Sequence, residues 1–329
     1  MPYDLSETLV VGVSATALFD LQEEDALFKE ELERDPSTAI QAYRKVMLER
    51  ENDRLDPGAG YPLVKALLGL NRHSPAGKPP LVEVVIMSRN SPETGLRILK
   101  NIREHDLAMT RHMFTGGESV VDYLDAFSVD LFLSTNVEDA QVVADSDLCA
   151  AAVLSVPPGE SFKPSTDQVR IAFDGDAVLF SEKSEIIYKT EGMDEFHAQE
   201  SAKEDILLEE GPFAAFLLKL AKLQERLPES IEFSPVRVAL ITARNSPSEI
   251  RVVKTLRKWG VYIDEAFFLG GVEKTKIVKA FQPHIFFDDQ DVHLKPASQH
   301  VPVAKVLYKS DSVLNEAVKN TATDPEDEN

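Results

Sequence analysis

The sequence predicts an α/β protein in which one doubly wound parallel-sheet unit occurs twice. Three observations carry that expectation: strand-length apolar runs, amphipathic stretches between them, and the same motifs recurring in both halves of a 329-residue chain. RIAF (170–173), VRVALIT (236–242), EAFFLG (265–270) and PHIFFD (283–288) are short and dominantly apolar, as strands covered on both faces require. Between the second and third, SPSEIRVVKTLRKWG (246–260) reads as a helix. Ser246 fits the N-cap, Pro247 the first helical position and Glu249 the third, a capping box. Ile250, Val253 and Leu256 recur on one face, and Gly260 fits the C-terminal end. Strands alternating with helices build a parallel sheet, and such sheets bind ligands beyond the carboxyl ends of their strands.

The repeat is visible in four collinear segments. VGVSATALFDL from Val11 matches IAFDGDAVLFS from Ile171, and YPLVKALLGLNR from Tyr61 matches PFAAFLLKLAKLQE from Pro212. VEVVIMSRNSP from Val82 matches VRVALITARNSP from Val236, and VDLFLSTN from Val129 matches PHIFFDDQ from Pro283. The chain thus divides into residues 1–155 and 165–308, joined near the proline-containing stretch Ser155–Gln168. Residues 309–329 end in NTATDPEDEN, acidic and without large apolar side chains, and are expected to be disordered.

Composition narrows the function. Apolar residues make up 43% of the chain, enough for a sizeable core. A net charge of −21 argues against nucleic acid or an anionic membrane as the main partner. Cys149 is the only cysteine, so no intramolecular disulfide forms, and a reducing compartment is expected. No apolar run reaches membrane-spanning length and the N-terminal stretch lacks a signal-peptide pattern, so the expectation is a soluble cytoplasmic protein. The oligomeric state is left open, a homo-oligomer included.

The chemistry is concentrated in the second half. Asp174 and Asp176 flank one glycine just after RIAF, and apolar sequence resumes at Ala177. Such a pair of acids is often only a solvated turn. At the end of a buried strand, however, the two repel each other unless a cation lies between them. Asp288 and Asp289 end another strand and add carboxylates. An oxygen-rich set of this kind suits Mg²⁺, and a carboxylate can also attack phosphorus to give an aspartyl-phosphate. Thr242 ends VRVALIT just before a helix and could meet phosphoryl oxygens, together with Ala243 and Arg244. Lys274 could pair with Asp174 and phosphate at once; Lys276 is its rival by spacing, and Lys279 reads as solvated.

In this order, D-x-D, Thr, Lys and D-D resemble the four motifs of the haloacid dehalogenase superfamily of phosphohydrolases. FDGDAVLFS, ITAR, VVKTLRKWG, DEAFFLGG and PHIFFDDQ resemble the cytosolic type-I 5′-nucleotidase family more closely still. The resemblance implies two units of haloacid-dehalogenase-like (HAD-like) fold, the second with a helical cap inserted at about 181–235. It implies Asp174 as nucleophile, Asp176 as general acid/base, Thr242 and Lys274 as phosphate-binding groups, and Asp174, Asp176, Asp288 and Asp289 around Mg²⁺. The implied reaction converts nucleoside 5′-monophosphates to nucleoside and phosphate. The alternatives are another phosphomonoester or an acceptor other than water and, outside enzymes, a nucleotide-binding regulator or scaffold.

The first half departs from the motifs. Ser14 and Thr16 stand in place of the aspartates, Met87 in place of the threonine, and Ser134 and Thr135 in place of the acidic pair. It reads as a catalytically dead copy whose FTGGES loop (114–119) could still face the active site. His284 reads as a packed residue, Trp259 as core, Cys149 as an inert thiol, and Phe267 with Phe268 as strand rather than a base-stacking platform.

Overall fold

Ten strands form one sheet: β1 (Leu9–Val13), β2 (Val82–Ser88), β3 (Arg111–Phe114), β4 (Leu131–Ser134), β5 (Ala150–Leu154), β6 (Val169–Phe173), β7 (Val236–Thr242), β8 (Glu265–Phe268), β9 (Ile285–Asp288) and β10 (Val303–Val306). They are described by a computed structural model covering residues 4–155, 159, 162–192, 196, 199–200, 202–228 and 234–315. Across the sheet the order is β3-β2-β1-β4-β5-β10-β9-β6-β7-β8. Each half therefore has the same internal order, its first strand between its second and fourth. Register repeats as well: Leu9 lies opposite Val82 as Val169 lies opposite Val236, and Val13 opposite Leu133 as Phe173 opposite Phe287. Phe267 and Phe268 lie in β8, as expected.

All pairings are parallel except the central one, β5 with β10, which is antiparallel. The carboxyl ends of the two halves therefore emerge at opposite edges of the sheet. This corrects the expectation for FTGGES: that loop follows β3, at the far end of the sheet and on the edge away from the ends of β6, β7 and β9.

The register also corrects one motif assignment. Ser88, not Met87, is the counterpart of Thr242. Both residues end a seven-residue strand, and each side-chain oxygen accepts the backbone N–H two residues on, both at 3.2 Å. Met87 faces a separate apolar cluster with Val85 and Phe132. The R-N-S-P tetrapeptides misled the alignment because one residue, Ala243, is inserted between strand and tetrapeptide in the second half.

Helices cover both faces. The helix Ala214–Gln224 presents Phe216, Leu217, Leu220 and Leu223 to the main core. Phe213 and Phe216 join Phe173 and Phe287, with Phe213 4.7 Å and Phe173 5.3 Å from the Phe287 ring. Full burial of each such ring contributes roughly 1.5–3 kcal/mol. This helix belongs to the sheet, so the expected cap at 181–235 shrinks at its C-terminal side.

Two boundaries move. The helix expected from Ser246 begins at Glu249, because the Ser248 N–H and hydroxyl both bond to the Asn245 carbonyl and close a turn first (2.8 and 2.6 Å). It still ends at Trp259 before Gly260, and Trp259 packs against Phe180 at 5.6 Å. Of the expected tail, residues 309–315 are held on the domain: Leu314 is buried, and the Ser310 and Ser312 hydroxyls donate to Asp145 and Glu182. Residues 316–329 lie outside the described residues.

Candidate active site

The glycine-spaced acids are built by a tight return of the chain. The Asp174 N–H continues the β6–β9 pairing by donating to the Phe287 carbonyl at 2.8 Å. The Gly175 carbonyl then accepts from the N–H groups of Leu179 and Phe180, both at 2.9 Å, while Ala177 takes a left-handed conformation (φ 59°). That loop sends Val178, Leu179 and Phe180 straight back into the core. Gly175 gives a close approach: a β-carbon there would lie 3.1 Å from Thr242 Oγ1. Thr242 thus sits against the D-G-D turn, and because its oxygen accepts the Arg244 N–H, its own proton is free to donate.

Lys274 is the centre of the charge cluster. It precedes the helix Thr275–Phe281 and is 1% exposed. Its Nζ lies 2.8 Å from Asp174 Oδ1 and 2.7 Å from Asp288 Oδ2. Lys276 and Lys279 are exposed, so the structure separates Lys274 from its rivals. Burial opposes the charge on Lys274, but Asp174 and Asp288 outweigh it and hold the ammonium above its ordinary range.

Asp174, Asp288 and Asp289 are all buried, with one oxygen of each within 4.8 Å of the others. Asp174 Oδ1 also accepts the Gly175 N–H at 2.6 Å, and the Tyr308 hydroxyl donates to Asp289 Oδ2. Three carboxylates thus face one ammonium. Burial, reinforced by Asp288, raises the Asp174 carboxyl to about 6. Burial likewise raises Asp288, and burial with repulsion from Asp174 and Asp288 raises Asp289 well above the carboxylate range. Asp289 Oδ1 is buried and has no hydrogen-bond partner. An under-neutralised, all-oxygen set with one oxygen left bare is the donor set a hard divalent cation takes.

Asp176, expected among the metal carboxylates, is not one of these three: its side chain turns to another partner. Both of its oxygens are held by Arg244, through Nε at 2.8 Å and Nη2 at 2.6 Å. Arg244 Nη1 reaches Glu200 at 2.7 Å, and Arg251 meets the other Glu200 oxygen at 2.7 Å. Arg244, expected near phosphate, is held here among carboxylates in an ion-pair network. Ala243 is exposed at the end of β7.

Sequence reasoning brought Asp174, Thr242, Lys274, Asp288 and Asp289 to one place, at the carboxyl ends of β6, β7 and β9 and the start of the helix after β8. It missed Glu200, Arg251 and Tyr308. Glu200 lies in AQESAKED, a polar stretch with no spacing to distinguish one acid from the next. Tyr308 follows the last strand and reaches Asp289 only through the fold. His284 is packed as expected: its Nδ1 accepts the Arg170 N–H at 3.1 Å and its Nε2–H donates to the Ser165 carbonyl at 3.1 Å. Burial raises the Cys149 thiol to about 12, in keeping with an inert residue.

A family model described as 5′-nucleotidase matches residues 1–313. Among curated proteins, human cytosolic 5′-nucleotidase 1B is similar to this chain, with 33% identity over 297 residues, 88% of this chain and 47% of that protein. The chain spans about half the length of that relative. No solved structure matches.

Proposed function

The chain belongs to the 5′-nucleotidase family, and from that premise we propose that it hydrolyses nucleoside 5′-monophosphates to nucleoside and phosphate. The observation that carries the reading is the buried Asp174–Lys274–Asp288–Asp289 cluster beside Thr242. Asp174 is the nucleophile: Oδ1 is engaged by Lys274 and the Gly175 N–H, and Oδ2 attacks phosphorus as the bond from phosphorus to the 5′-oxygen breaks. Asp176 gives a proton to that leaving oxygen. It then takes one from the water that attacks the aspartyl-phosphate, releasing phosphate and restoring Asp174. Thr242 and Lys274 donate to the phosphoryl oxygens. Asp174, Asp288 and Asp289 would hold Mg²⁺, which when bound neutralises charge on the phosphoryl group.

The shared strand order and register support reading the chain as two copies of a haloacid-dehalogenase-like unit, with residues 1–155 the copy without catalytic groups. Within the second copy, the cap reduces to the part of the insertion before the helix Ala214–Gln224. Among the described residues no helix is long and apolar enough to cross a membrane; the absence of paired cysteines and the relative's description as cytosolic support a cytosolic location. Phosphate release from a panel of nucleoside monophosphates, with and without EDTA, tests the reading. Release that EDTA abolishes is expected, while no release from any nucleotide, or release untouched by EDTA, contradicts it.

A further inference from the structure

Each half carries an ion pair that docks the segment inserted after its first strand onto the helix between its second and third strands. In the first half Arg97 Nη1 meets Glu24 Oε1 at 2.6 Å, and in the second Arg251 Nη1 meets Glu200 Oε1 at 2.7 Å. The second partner differs. Glu24 takes Arg50, whose side chain is 44% exposed, whereas Glu200 takes Arg244, whose side chain is 2% exposed. Arg50 goes on to Glu23, an exposed surface acid, whereas Arg244 goes on to Asp176 beside Asp174, and the Phe196 ring covers its guanidinium at 5.4 Å.

We propose that Glu200 is a positioning residue for Asp176: it shares Arg244 with that carboxylate and so sets how tightly Asp176 is held. The inference rests on the nucleotidase reading, in which Asp176 carries a proton to the leaving oxygen. A guanidinium forked onto both Asp176 oxygens opposes that task, because a protonated carboxyl group gives up one of the acceptor sites the fork uses. Asp176 must therefore leave Arg244 during the cycle. A buried arginine stripped of its sole acid is an uncompensated charge, which is costly. Glu200 on Nη1, shared with Arg251, keeps Arg244 paired to a carboxylate after Asp176 departs.

The test compares kcat and KM of Mg²⁺-supplied full-length variants on a nucleoside 5′-monophosphate and on a nitrophenyl phosphate, whose phenolate departs without a proton. Glu200→Gln leaves Arg244 with Asp176 as its one carboxylate and tightens the hold. The kcat on the nucleotide is expected to fall about tenfold or more, with KM and the aryl phosphate kcat changed less than about twofold. Adding Arg244→Gln releases Asp176 and recovers part of that loss. Glu24→Gln, the same pair in the first half, lowers the thermal midpoint and leaves both kcat values unchanged. Equal losses on both substrates in Glu200→Gln, or a double variant slower than the single one, overturn the proposal. If Glu200→Gln does not fold, Arg244→Lys probes the same hold, since an ammonium cannot fork a carboxylate. The nucleotide-to-aryl ratio of kcat values should then rise, and a fall overturns the proposal. Wild-type protein that releases phosphate from neither substrate overturns the nucleotidase reading itself, which separates the two failures.

Discussion

The two halves of the sheet share strand order, register and local hydrogen bonds, yet one carries buried charge where the other carries hydroxyls. Ser14, Ser88 and Ser134 follow or end β1, β2 and β4 as Asp174, Thr242 and Asp288 follow or end β6, β7 and β9. The backbone contact repeats too: Ser134 Oγ accepts the Asn136 N–H at 3.0 Å, as Asp288 Oδ1 accepts the Gln290 N–H at 2.9 Å. Lys274 begins the helix after the second Gly-Gly loop, and Val120, 2% exposed, begins the one after the first. A unit of this architecture therefore closes without the charges. Acids and lysine are absent together from the first half because either alone would leave buried charge uncompensated. Their presence in the second is a cost to stability that the fold does not require, which fits the proposed site for a cation and a phosphate.

The comparison breaks most readily at Lys274. Lys274→Ala leaves three buried carboxylates without their ammonium and is expected to abolish phosphate release and lose about 3–5 kcal/mol of stability. Lys276→Ala, at an exposed position, should change stability by no more than about 0.5 kcal/mol and leave kcat unaltered. Urea titrations with phosphate assays separate the pair; similar losses would remove Lys274 from the centre of the site.

A divalent cation should act on one half alone. Mg²⁺ at about a hundred times its dissociation constant stabilises by about 2.7 kcal/mol, raising the thermal midpoint of the wild-type chain. Asp289→Asn, which removes one carboxylate from the cluster, should reduce that increment. An equal increment in both proteins would place the ion elsewhere.

Of similar size is a pH effect at a matched pair. His284 and Asp130 both precede the fourth strand of their half and accept a backbone N–H from its first strand, Arg170 to His284 Nδ1 and Val10 to Asp130 Oδ2. Burial lowers the His284 imidazole to about 4. The unfolded chain then binds a proton at His284 near the ordinary value of about 6.5, before the folded chain does. The stability that neutral His284 contributes is complete above that value and is lost as pH falls towards about 4, by up to about 3 kcal/mol. Asp130 is raised by burial, so ionisation costs stability there and acid relieves it, the opposite slope. Denaturation midpoints between these pH values should fall more steeply in the wild type than in His284→Gln; parallel curves would refute the assignment.

The smallest effect concerns the first Gly-Gly loop. Gly116 has φ 65°, so Gly116→Val should cost about 1–2 kcal/mol. Its position on the far edge of the sheet predicts an unchanged KM. A raised KM at unchanged stability would return the loop to the substrate.

Much of this was legible in the chain itself. The strand runs, the repeat and the ordered acids, threonine and lysine are local patterns, and local patterns survive into the fold. The single residue inserted before R-N-S-P in the second half, Ala243, was not legible, because a tetrapeptide aligns more strongly than a strand end. The antiparallel β5–β10 junction leaves no trace in composition either, yet it decides which loops can reach the site. Asp176 was assigned to the metal because its neighbour two residues away is acidic; its partner Arg244 lies at the end of another strand. Buried pairing across such distances is a tertiary fact, and so is the Tyr308 contact with Asp289.

Acid-quenched trapping tests the central claim most directly. A nucleoside monophosphate labelled at phosphorus is mixed with Mg²⁺-supplied protein, quenched within one turnover and digested for mass analysis. The account predicts a phosphoryl group on Asp174, absent in Asp174→Asn, which keeps its thermal midpoint and loses turnover. Sustained turnover with Asp174 never phosphorylated, or an active Asp174→Asn protein, would contradict it.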